Sequence, residues 1–379
     1  MTRRCFVAEG TLAACACCAL PAAHGSGSPA ARGAAGIQGD ARHVREALHY
    51  ERIGERKVIC RLCPHECRIA DLERGTCGVR ENRGGTYYTL VYGNPCSVHV
   101  DPVEKKPLYH YLPGTRAFSL ATAGCNFVCR FCQNWEISQK RPEQVKSIDL
   151  PPPAVISAAA RNGCRTVAHT YTEPVVFYEY MRDCAIEGRR RGIPSLMISN
   201  GYIQKKPLRE LCRVIGGVKI DLKAFTESFY RDMCAGTLRP VLDALVVLKE
   251  EGVWFEIVVL IIPSLNDGET EIDRMTRWIH RELGADVPVH FSRYYPTFML
   301  KNIPPTPPSL LRRARRIARE NGLKYVYVGN LLSEEANTFC PSCGALLIAR
   351  YGHSASIEGM KKDTCRACGE KIPGVFHLE

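Results

Sequence analysis

Residues 121–135, ATAGCNFVCRFCQNW, carry three cysteines directly after a predicted apolar strand, with three and then two residues between them. An iron–sulfur cube takes four ligands, which are usually thiolates. Cys125, Cys129 and Cys132 supply three, and no fourth cysteine lies nearby in the sequence, so one iron would stay open to a substrate or cofactor. The alternative for such a run is a structural zinc loop.

The composition indicates a globular protein with one large domain, one or two small ones and several metal sites. The chain has 379 residues, of which 45% are hydrophobic and 24% are charged, as is ordinary for a folded protein. Its twenty cysteines cluster at C-x2-C spacing, which favours metal binding over disulfides. No apolar run is long enough to span a bilayer.

The net charge of +12 raises the question of a nucleic-acid partner. The densest basic runs, 189–191 and 312–316, lie in predicted helices, and we interpret them as solvated helix faces. The sequence has no RNA-binding motif with interleaved aromatic residues. Nucleic-acid binding is therefore not expected.

The first 25 residues are predicted to be a targeting segment rather than part of the fold. Arg3 and Arg4 are followed by Phe6 and a small-residue apolar stretch, which is typical of a twin-arginine export signal. A mis-assigned start codon or a frayed tail, with a cytoplasmic protein, is the alternative. Residues 26–45 are rich in Gly, Ala and Ser and are predicted to be a linker.

Two further cysteine sets have four members each, enough for closed metal sites. The first falls within eighteen residues: Cys60, Cys63, Cys67 and Cys77. Its ligands suit structural zinc or a second iron–sulfur cluster, with His65 as an alternative to one thiol. We predict an N-terminal module and lead-in over residues 46–110.

The second set forms C-x2-C-x21-C-x2-C, with a glycine after each pair: Cys340, Cys343, Cys365 and Cys368. This spacing is typical of a zinc ribbon, and a redox-active dithiol pair is the alternative. We predict a zinc-ribbon-like module over residues 331–379. The remaining dispersed cysteines are expected to be buried free thiols: Cys164, Cys184, Cys212 and Cys234.

Apolar strands alternate with helical stretches over residues 111–330. Seven strands are predicted at 117–122, 166–171, 195–199, 218–223, 254–262, 287–292 and 324–328. This alternation indicates a parallel sheet with right-handed crossovers, and a cysteine loop right after the first strand favours a partial α/β barrel over a doubly wound sheet. Active groups then collect at the carboxyl ends of the strands. Upstream, residues 87–114 are predicted to form a short strand pair.

Polar residues stand at two of these strand ends. Glu173, in the segment TYTEP after the second strand, would either cap the following helix or accept the ammonium group of a bound amino acid. Asn200, in the segment SNGY after the third strand, suits a turn and a binding role equally well. Both are candidate cofactor-binding residues.

Charged residues also lie within the later strands. Lys219, Asp221 and Lys223 share one face of VKIDLK, where burial is costly unless they pair with each other or hold a polar ligand. His290, in VPVHFS, is either a core histidine or a ligand-binding one.

Together these segments resemble a known family. The strand and CxxxCxxC loop resemble those of the radical S-adenosylmethionine (SAM) superfamily. More closely, GCNFVCRFCQNW, TYTEP, SNGY, VKIDLKAF, VVLIIPSLND and VPVHFSRYYP resemble the radical SAM enzyme of the AmmeMemoRadiSam system, a relative of pyruvate formate-lyase activating enzymes. The resemblance extends to CRLCPHECRI, HVDPVEKKPLYHYLPG, GLKYVYVGN and the terminal CxxC pairs, and covers about residues 46–375.

The resemblance implies roles for individual residues. The cysteines of the 125–132 loop would bind a [4Fe-4S] cluster, and Glu173 would receive the amino group of SAM. Asp221, Lys223 and His290 match positions that hold its carboxylate, ribose or adenine end. Ile198 departs from the activating enzymes, which carry an acid associated with a monovalent cation at this place, so the resemblance does not extend to a cation site.

The implied activity is that of a radical SAM oxidoreductase. An electron from a reduced flavodoxin- or ferredoxin-like donor would cleave SAM to methionine and a 5′-deoxyadenosyl radical, which abstracts hydrogen from a substrate. No motif specifies whether that substrate is a protein or a small molecule. Two rival classes are a non-catalytic multi-zinc nucleic-acid-binding protein and an exported disulfide-rich protein.

Overall fold

The amino-terminal part of the structure forms two small antiparallel sheets. The computed structural model describes residues 41–378, so the predicted signal at 1–25 and most of the predicted linker at 26–45 lie outside them. A 3₁₀ helix at Ala41–His43 leads into six short strands: β1 (Arg45–Glu46), β2 (Tyr50–Arg52), β3 (Val58–Cys60), β4 (Arg68–Ile69), β5 (Arg80–Arg83) and β6 (Thr86–Thr89). Their orders are β1-β6-β5 and β2-β3-β4.

An eight-stranded sheet forms the centre of the fold. Its strands are β7 (Ser97–Pro102), β8 (Arg116–Ala121), β9 (Thr166–His169), β10 (Ser195–Ser199), β11 (Gly217–Asp221), β12 (Phe255–Ile261), β13 (Val289–Arg293) and β14 (Val326–Gly329). They lie side by side in chain order, with β8 to β14 parallel and β7 antiparallel to β8. The edge strands β7 and β14 do not pair with each other. The partial barrel and its seven predicted strands are confirmed.

The short strand pair predicted in residues 87–114 is wrong. Both strands exist, but β6 pairs with β1 and β5, whereas β7 pairs with β8. The reason is that β1 and β5 already occupy both edges of β6, so no hydrogen-bonding edge is left for β7. The lead-in to the core therefore supplies an edge strand of the central sheet.

Helices follow most of the parallel strands. Within the described residues they are α1 (Trp135–Ser138), α2 (Pro152–Arg161), α3 (Tyr178–Arg190), α4 (Lys205–Cys212), α5 (Glu227–Phe229), α6 (Arg239–Glu250), α7 (Glu269–Leu283) and α8 (Pro308–Glu320). A short 3₁₀ helix at Val103–Lys105 precedes β8, and two more at Pro142–Gln144 and Pro174–Phe177 and a π-helix at Tyr230–Cys234 lie between the α-helices. In α7, Ile272, Met275 and Ile279 are buried, at the three- and four-residue spacing that directs one helix face to the core.

The basic runs lie on helix surfaces, as predicted. Arg190 and Arg191 pair with Glu187 at the end of α3. On α8, carboxylates of Glu335, Glu269 and Glu320 pair with Arg312, Arg313 and Arg316. The described helices include none long and apolar enough to cross a membrane.

A small C-terminal module follows β14 and shares a cluster of buried side chains with it. After a 3₁₀ helix at Glu334–Ala336 it contains β15 (Thr338–Phe339), β16 (Leu346–Tyr351), β17 (Ser354–Ile357), β18 (Met360–Lys361) and β19 (Thr364–Cys365). Arg350 of β16 donates to the carbonyl of Tyr109 at 2.7 Å, and its guanidinium lies over the rings of Tyr109 and Tyr327. Tyr109 lies in the segment between β7 and β8 and Tyr327 lies within β14, so Arg350 fastens the module to both.

Candidate active site

The three-cysteine loop leaves the carboxyl end of β8 and is held by the π-helix that follows β11. The backbone N–H groups of Val128 and Arg130 donate to the carbonyls of Cys234 and Met233, both at 2.9 Å. Inside the loop the N–H of Cys132 donates to the carbonyl of Cys129 at 3.1 Å. These bonds fix the loop at the strand ends, where the sequence predicted chemistry to occur.

The spacing of the three thiols does not suit a zinc knuckle. A tetrahedral Zn–S distance of about 2.3 Å places thiolate sulfurs about 3.8 Å apart. Cys125, Cys129 and Cys132 do not have all their sulfurs within 4.8 Å of one another; among the described residues only the C-terminal four-cysteine set does. The zinc alternative for this loop is not supported by the geometry.

A fourth thiol lies beside this loop, which the sequence pattern did not predict. Cys234, in the π-helix, is fully buried beside Cys129. The neighbouring Cys234 thiol and the Lys223 ammonium lower the pKa of Cys129, whereas burial raises the pKa of Cys125.

Glu173 is buried at the carboxyl end of β9 with one acceptor position to spare. Its carboxylate accepts hydrogen bonds from the N–H of Val175 at 3.0 Å, the hydroxyl of Ser199 at 2.7 Å and the N–H of Asn200 at 2.7 Å. A carboxylate has about four lone-pair positions, so one remains. Glu173 does cap the following 3₁₀ helix, and the cap leaves it able to accept one further donor. Burial raises the pKa of this carboxyl to about 7.

Asn200 connects Glu173 to the cysteine loop. Its backbone N–H donates to Glu173, and its side-chain amide donates to the side-chain carbonyl of Asn126 at 2.8 Å. Its own side-chain carbonyl accepts from the N–H of Tyr202 at 2.9 Å, which is the turn arrangement expected of SNGY. Asn126 and Ser199 belong to this network, but no sequence motif singled them out.

The three charged residues of β11 and its end form one ion cluster. Lys223 donates to Asp221 at 2.8 Å, and Lys219 donates to the other carboxylate oxygen. Burial opposes ionisation of Asp221, but the two ammonium groups outweigh it and lower its pKa to about 2. The cluster therefore carries two positive charges and one negative charge, a surplus that attracts an anionic ligand group.

His290 lies in the interior of the barrel, with 1% of its surface exposed. Its Nε2 bonds the Glu256 carboxylate at 2.7 Å, and its ring packs against those of Tyr109 and Tyr327. Glu256 also accepts from the backbone N–H groups of Tyr109 and His110. The structure thus places His290 as a core histidine, and its part in cofactor binding stays a prediction. Glu256 itself was recognisable as the one acid inside the apolar strand 254–262.

A second polar cluster, formed by Tyr171, Asp101 and Lys106, lies beside the 125–132 cysteine loop. Tyr171 has a positive φ of 64°, its carbonyl accepts from the Asn134 side chain at 2.7 Å, and its hydroxyl donates to Asp101. Lys106 pairs with Asp101 at 2.6 Å and lies 4.4 Å from the Tyr171 ring centroid. Burial lowers the pKa of Lys106 to about 8. The sequence pattern did not indicate that HVDPVEKK would meet TYTEP here.

The two four-cysteine sets differ in geometry. At the C-terminus the sulfurs pair at 3.6 Å, Cys340 with Cys368, and at 3.7 Å, Cys343 with Cys365. The N-terminal set lines a small cavity, of about 20 Å³, that also borders the three-cysteine loop at Asn126: Cys60, Cys63, Cys67 and Cys77. The sixteen cysteines of the described part are free of disulfides, which removes the disulfide-rich alternative there. Of the four dispersed thiols, Cys212 is partly exposed and the rest are buried.

The comparisons with known proteins agree with this architecture. Residues 119–276 match the family model of the radical SAM superfamily. The chain is also 44% identical over 332 residues to the uncharacterized protein MJ0808 of Methanocaldococcus jannaschii, which spans 87% of this chain and 99% of the relative. The chain contains a radical SAM domain. A second uncharacterized protein of the same archaeon, MJ0674, is 36% identical over 81 residues, 21% of this chain and 19% of the relative.

Several solved structures are similar to this radical SAM protein at low sequence identity. A domain of a pyruvate-formate lyase-activating enzyme from Bacteroides vulgatus is 16% identical, with 43% of this chain and 98% of that chain covered and a TM-score of 0.39. SuiB of Streptococcus suis bound to SAM is 13% identical, with 60% and 53% covered and a TM-score of 0.44. Agreement at this level is too low to support any function.

Membership of the superfamily implies a [4Fe-4S] cluster and SAM as cofactors, and the residues fit both. The 125–132 loop of this radical SAM protein offers three thiols spaced too widely for zinc. Beside it lie a carboxylate with one free acceptor position and a positively charged cluster. These are the groups that the ammonium and the carboxylate of an amino acid require.

Proposed function

We propose that this protein is an oxidoreductase of the radical SAM superfamily, similar to the radical SAM enzyme of the AmmeMemoRadiSam system and to pyruvate formate-lyase activating enzymes. When bound to the loop at Cys125, Cys129 and Cys132, a [4Fe-4S] cluster would supply the electron that splits SAM into methionine and a 5′-deoxyadenosyl radical for hydrogen abstraction. The observation that carries the proposal is the arrangement of this loop beside Glu173 and the Lys219–Asp221–Lys223 cluster.

The residues of this chain would bind and orient SAM. Glu173 would accept the SAM ammonium with its remaining lone pair, while Lys223 would pair with the SAM carboxylate. Through its bond to Asn126, Asn200 would hold Glu173 in a fixed position relative to the cysteine loop. Because these groups are largely buried, they act in a region of low dielectric, where each ionic contact is stronger than in water.

The partners follow from the reaction. A reduced flavodoxin- or ferredoxin-like protein would deliver the electron, since radical SAM enzymes use reduced donors. A cavity of about 660 Å³ at the carboxyl ends of β13 and β14, lined by Arg293, Tyr295, Asn330 and Tyr351, is where a protein segment or a small molecule would enter. We further propose that the C-terminal set of cysteines binds zinc. The twin-arginine-like signal would direct export, with a cytoplasmic location as the alternative.

The experiment that tests this proposal is anaerobic SAM cleavage. The full chain is reconstituted with iron and sulfide, reduced with dithionite and given SAM, and 5′-deoxyadenosine is measured by chromatography. We expect product from the parent protein and none from Cys129→Ala, while Cys164→Ala serves as a control for loss of an unrelated thiol. If the parent makes none and its 125–132 loop holds zinc, the non-catalytic multi-zinc alternative takes its place.

A further inference from the structure

The N-terminal cysteine set has a geometry unlike that of the C-terminal set in the same molecule. The C-terminal sulfurs lie within 4.8 Å of one another, close to the distance of about 3.8 Å that tetrahedral zinc imposes. No three of the N-terminal thiols meet that limit within the described chain. An iron–sulfur cube places four iron atoms between its thiolates, and so its ligands must stand further apart.

Backbone hydrogen bonds hold the segments that carry the N-terminal thiols. The N–H of Cys60 donates to the carbonyl of Cys67 at 2.9 Å, and β3 and β4 pair through Val58 and Ile69. The Gly75 and Gly78 turn is tied by a bond between them at 2.9 Å.

The groups around the thiols suit an iron–sulfur cluster. All four cysteines line one small space, together with Leu62, Tyr87, Val175 and Val176. No aspartate or glutamate lines it, so the thiols are the anionic ligands that the cavity offers. Arg80 also lines it and is anchored by Glu179 at 2.5 and 3.0 Å, which places a fixed positive charge beside the thiols.

The same cavity borders the 125–132 loop, which is proposed to hold the [4Fe-4S] cluster that cleaves SAM. Asn126, next to Cys125, is one of its lining residues, and its carbonyl lies 2.7 Å from His65 Nε2. A Cβ on Gly124 would come within 2.7 Å of the Cys77 carbonyl, so only glycine permits this approach. His65 therefore links the two cysteine segments.

We propose that Cys60, Cys63, Cys67 and Cys77 bind a second [4Fe-4S] cluster, next to the loop of Cys125, and that zinc binds only at the C-terminal set. The inference concerns metal identity and does not depend on SAM cleavage. It accounts for two four-thiol sets with different spacing in one chain, and for a lining in which apolar side chains shield the thiols.

The test is metal analysis of anaerobically purified full-length protein. The triple variant Cys125→Ala, Cys129→Ala, Cys132→Ala removes the first cluster site. We expect it to retain about four irons and four sulfides per chain, with a Mössbauer spectrum of a [4Fe-4S] cluster, and about one zinc. A matched control, Cys96→Ala, Cys164→Ala, Cys212→Ala, removes three other thiols and should retain about eight irons.

Loss of all iron from the first triple variant, with about two zincs per chain in the parent, would overturn the proposal. If the variant fails to fold, the parent alone decides: about eight irons and one zinc support two clusters, whereas about four irons and two zincs contradict them. Iron retained in the variant, together with a parent that makes no 5′-deoxyadenosine, would leave this inference standing while the proposed function fails.

Discussion

The side-chain amide of Asn200 donates a 2.8 Å hydrogen bond to the side-chain carbonyl of Asn126. This bond joins the end of β10 to the cysteine loop after β8, across the intervening strand β9. Because the backbone of Asn200 also binds Glu173, one asparagine sets the position of the carboxylate relative to the thiols. Two elements far apart in the sequence thereby form one site.

Replacing Glu173 by glutamine is expected to weaken SAM binding about tenfold or more. A hydrogen bond between charged groups contributes about 1.5–3 kcal/mol, and 1.4 kcal/mol corresponds to a tenfold change in affinity. Equilibrium binding of SAM to the reconstituted protein measures the effect. Glu187→Gln, which alters a surface ion pair on α3, should change affinity little. Equal losses in both variants would contradict a role for Glu173 in binding.

SAM affinity is expected to fall as the pH is lowered from about 7.5 to 6. The pKa of Glu173, raised by burial to about 7, means that its carboxyl takes up a proton in this interval and loses its attraction for an ammonium. The raised pKa of Glu173 also stabilises the folded state at pH values below 4.5, its ordinary pKa. This stabilisation is lost as the pH rises through 7. Dissociation constants across the interval test this, and Glu173→Gln should lack the slope.

Replacing Asp221 by asparagine is expected to lower the free energy of unfolding by about 2 kcal/mol. Removing one partner of a buried ion pair costs about 3–5 kcal/mol, and the Asp221 side chain is 27% exposed, which reduces the cost. Denaturant unfolding of equally metal-loaded samples measures it. The control Glu320→Gln removes an exposed i,i+4 pair worth about 0.5 kcal/mol or less. Equal stability of both variants would show that Lys219 and Lys223 do not need Asp221.

Replacing Cys234 by alanine is expected to leave the iron content of the 125–132 loop unchanged. The loop is tied to residues 233–234 through backbone groups, which alanine retains, and three thiols are enough when SAM completes the cluster. Iron analysis and SAM binding provide the measurement, with Cys129→Ala as the variant that should lose the iron of the 125–132 loop and the binding of SAM. Loss of iron in Cys234→Ala would mean that this thiol serves as a fourth ligand, which would leave no iron open to SAM.

Much of the fold followed from local patterns in the sequence, whereas the contacts within the site did not. The strand predicted at 195–199 has those bounds in the structure, because a continuous apolar run between turns reports a buried strand. The strand pair predicted in 87–114 was wrong because pairing partners are chosen among all available edges. Glu173 and Asp221 were identified from their positions at strand ends, but the Glu256–His290 pair depends on the register between β12 and β13.

The sequence by itself determined the alternation of parallel strands and helices, the three-cysteine loop and the presence of two four-cysteine sets, since apolar periodicity and ligand spacing are local properties. Only the tertiary structure decided that Cys234 lies against Cys129, that Asn126 joins both cysteine segments, and that the N-terminal thiols stand further apart than the C-terminal ones. Distances between side chains from separate elements depend on strand register and loop packing. These come from the whole chain folding together, and no local motif specifies them.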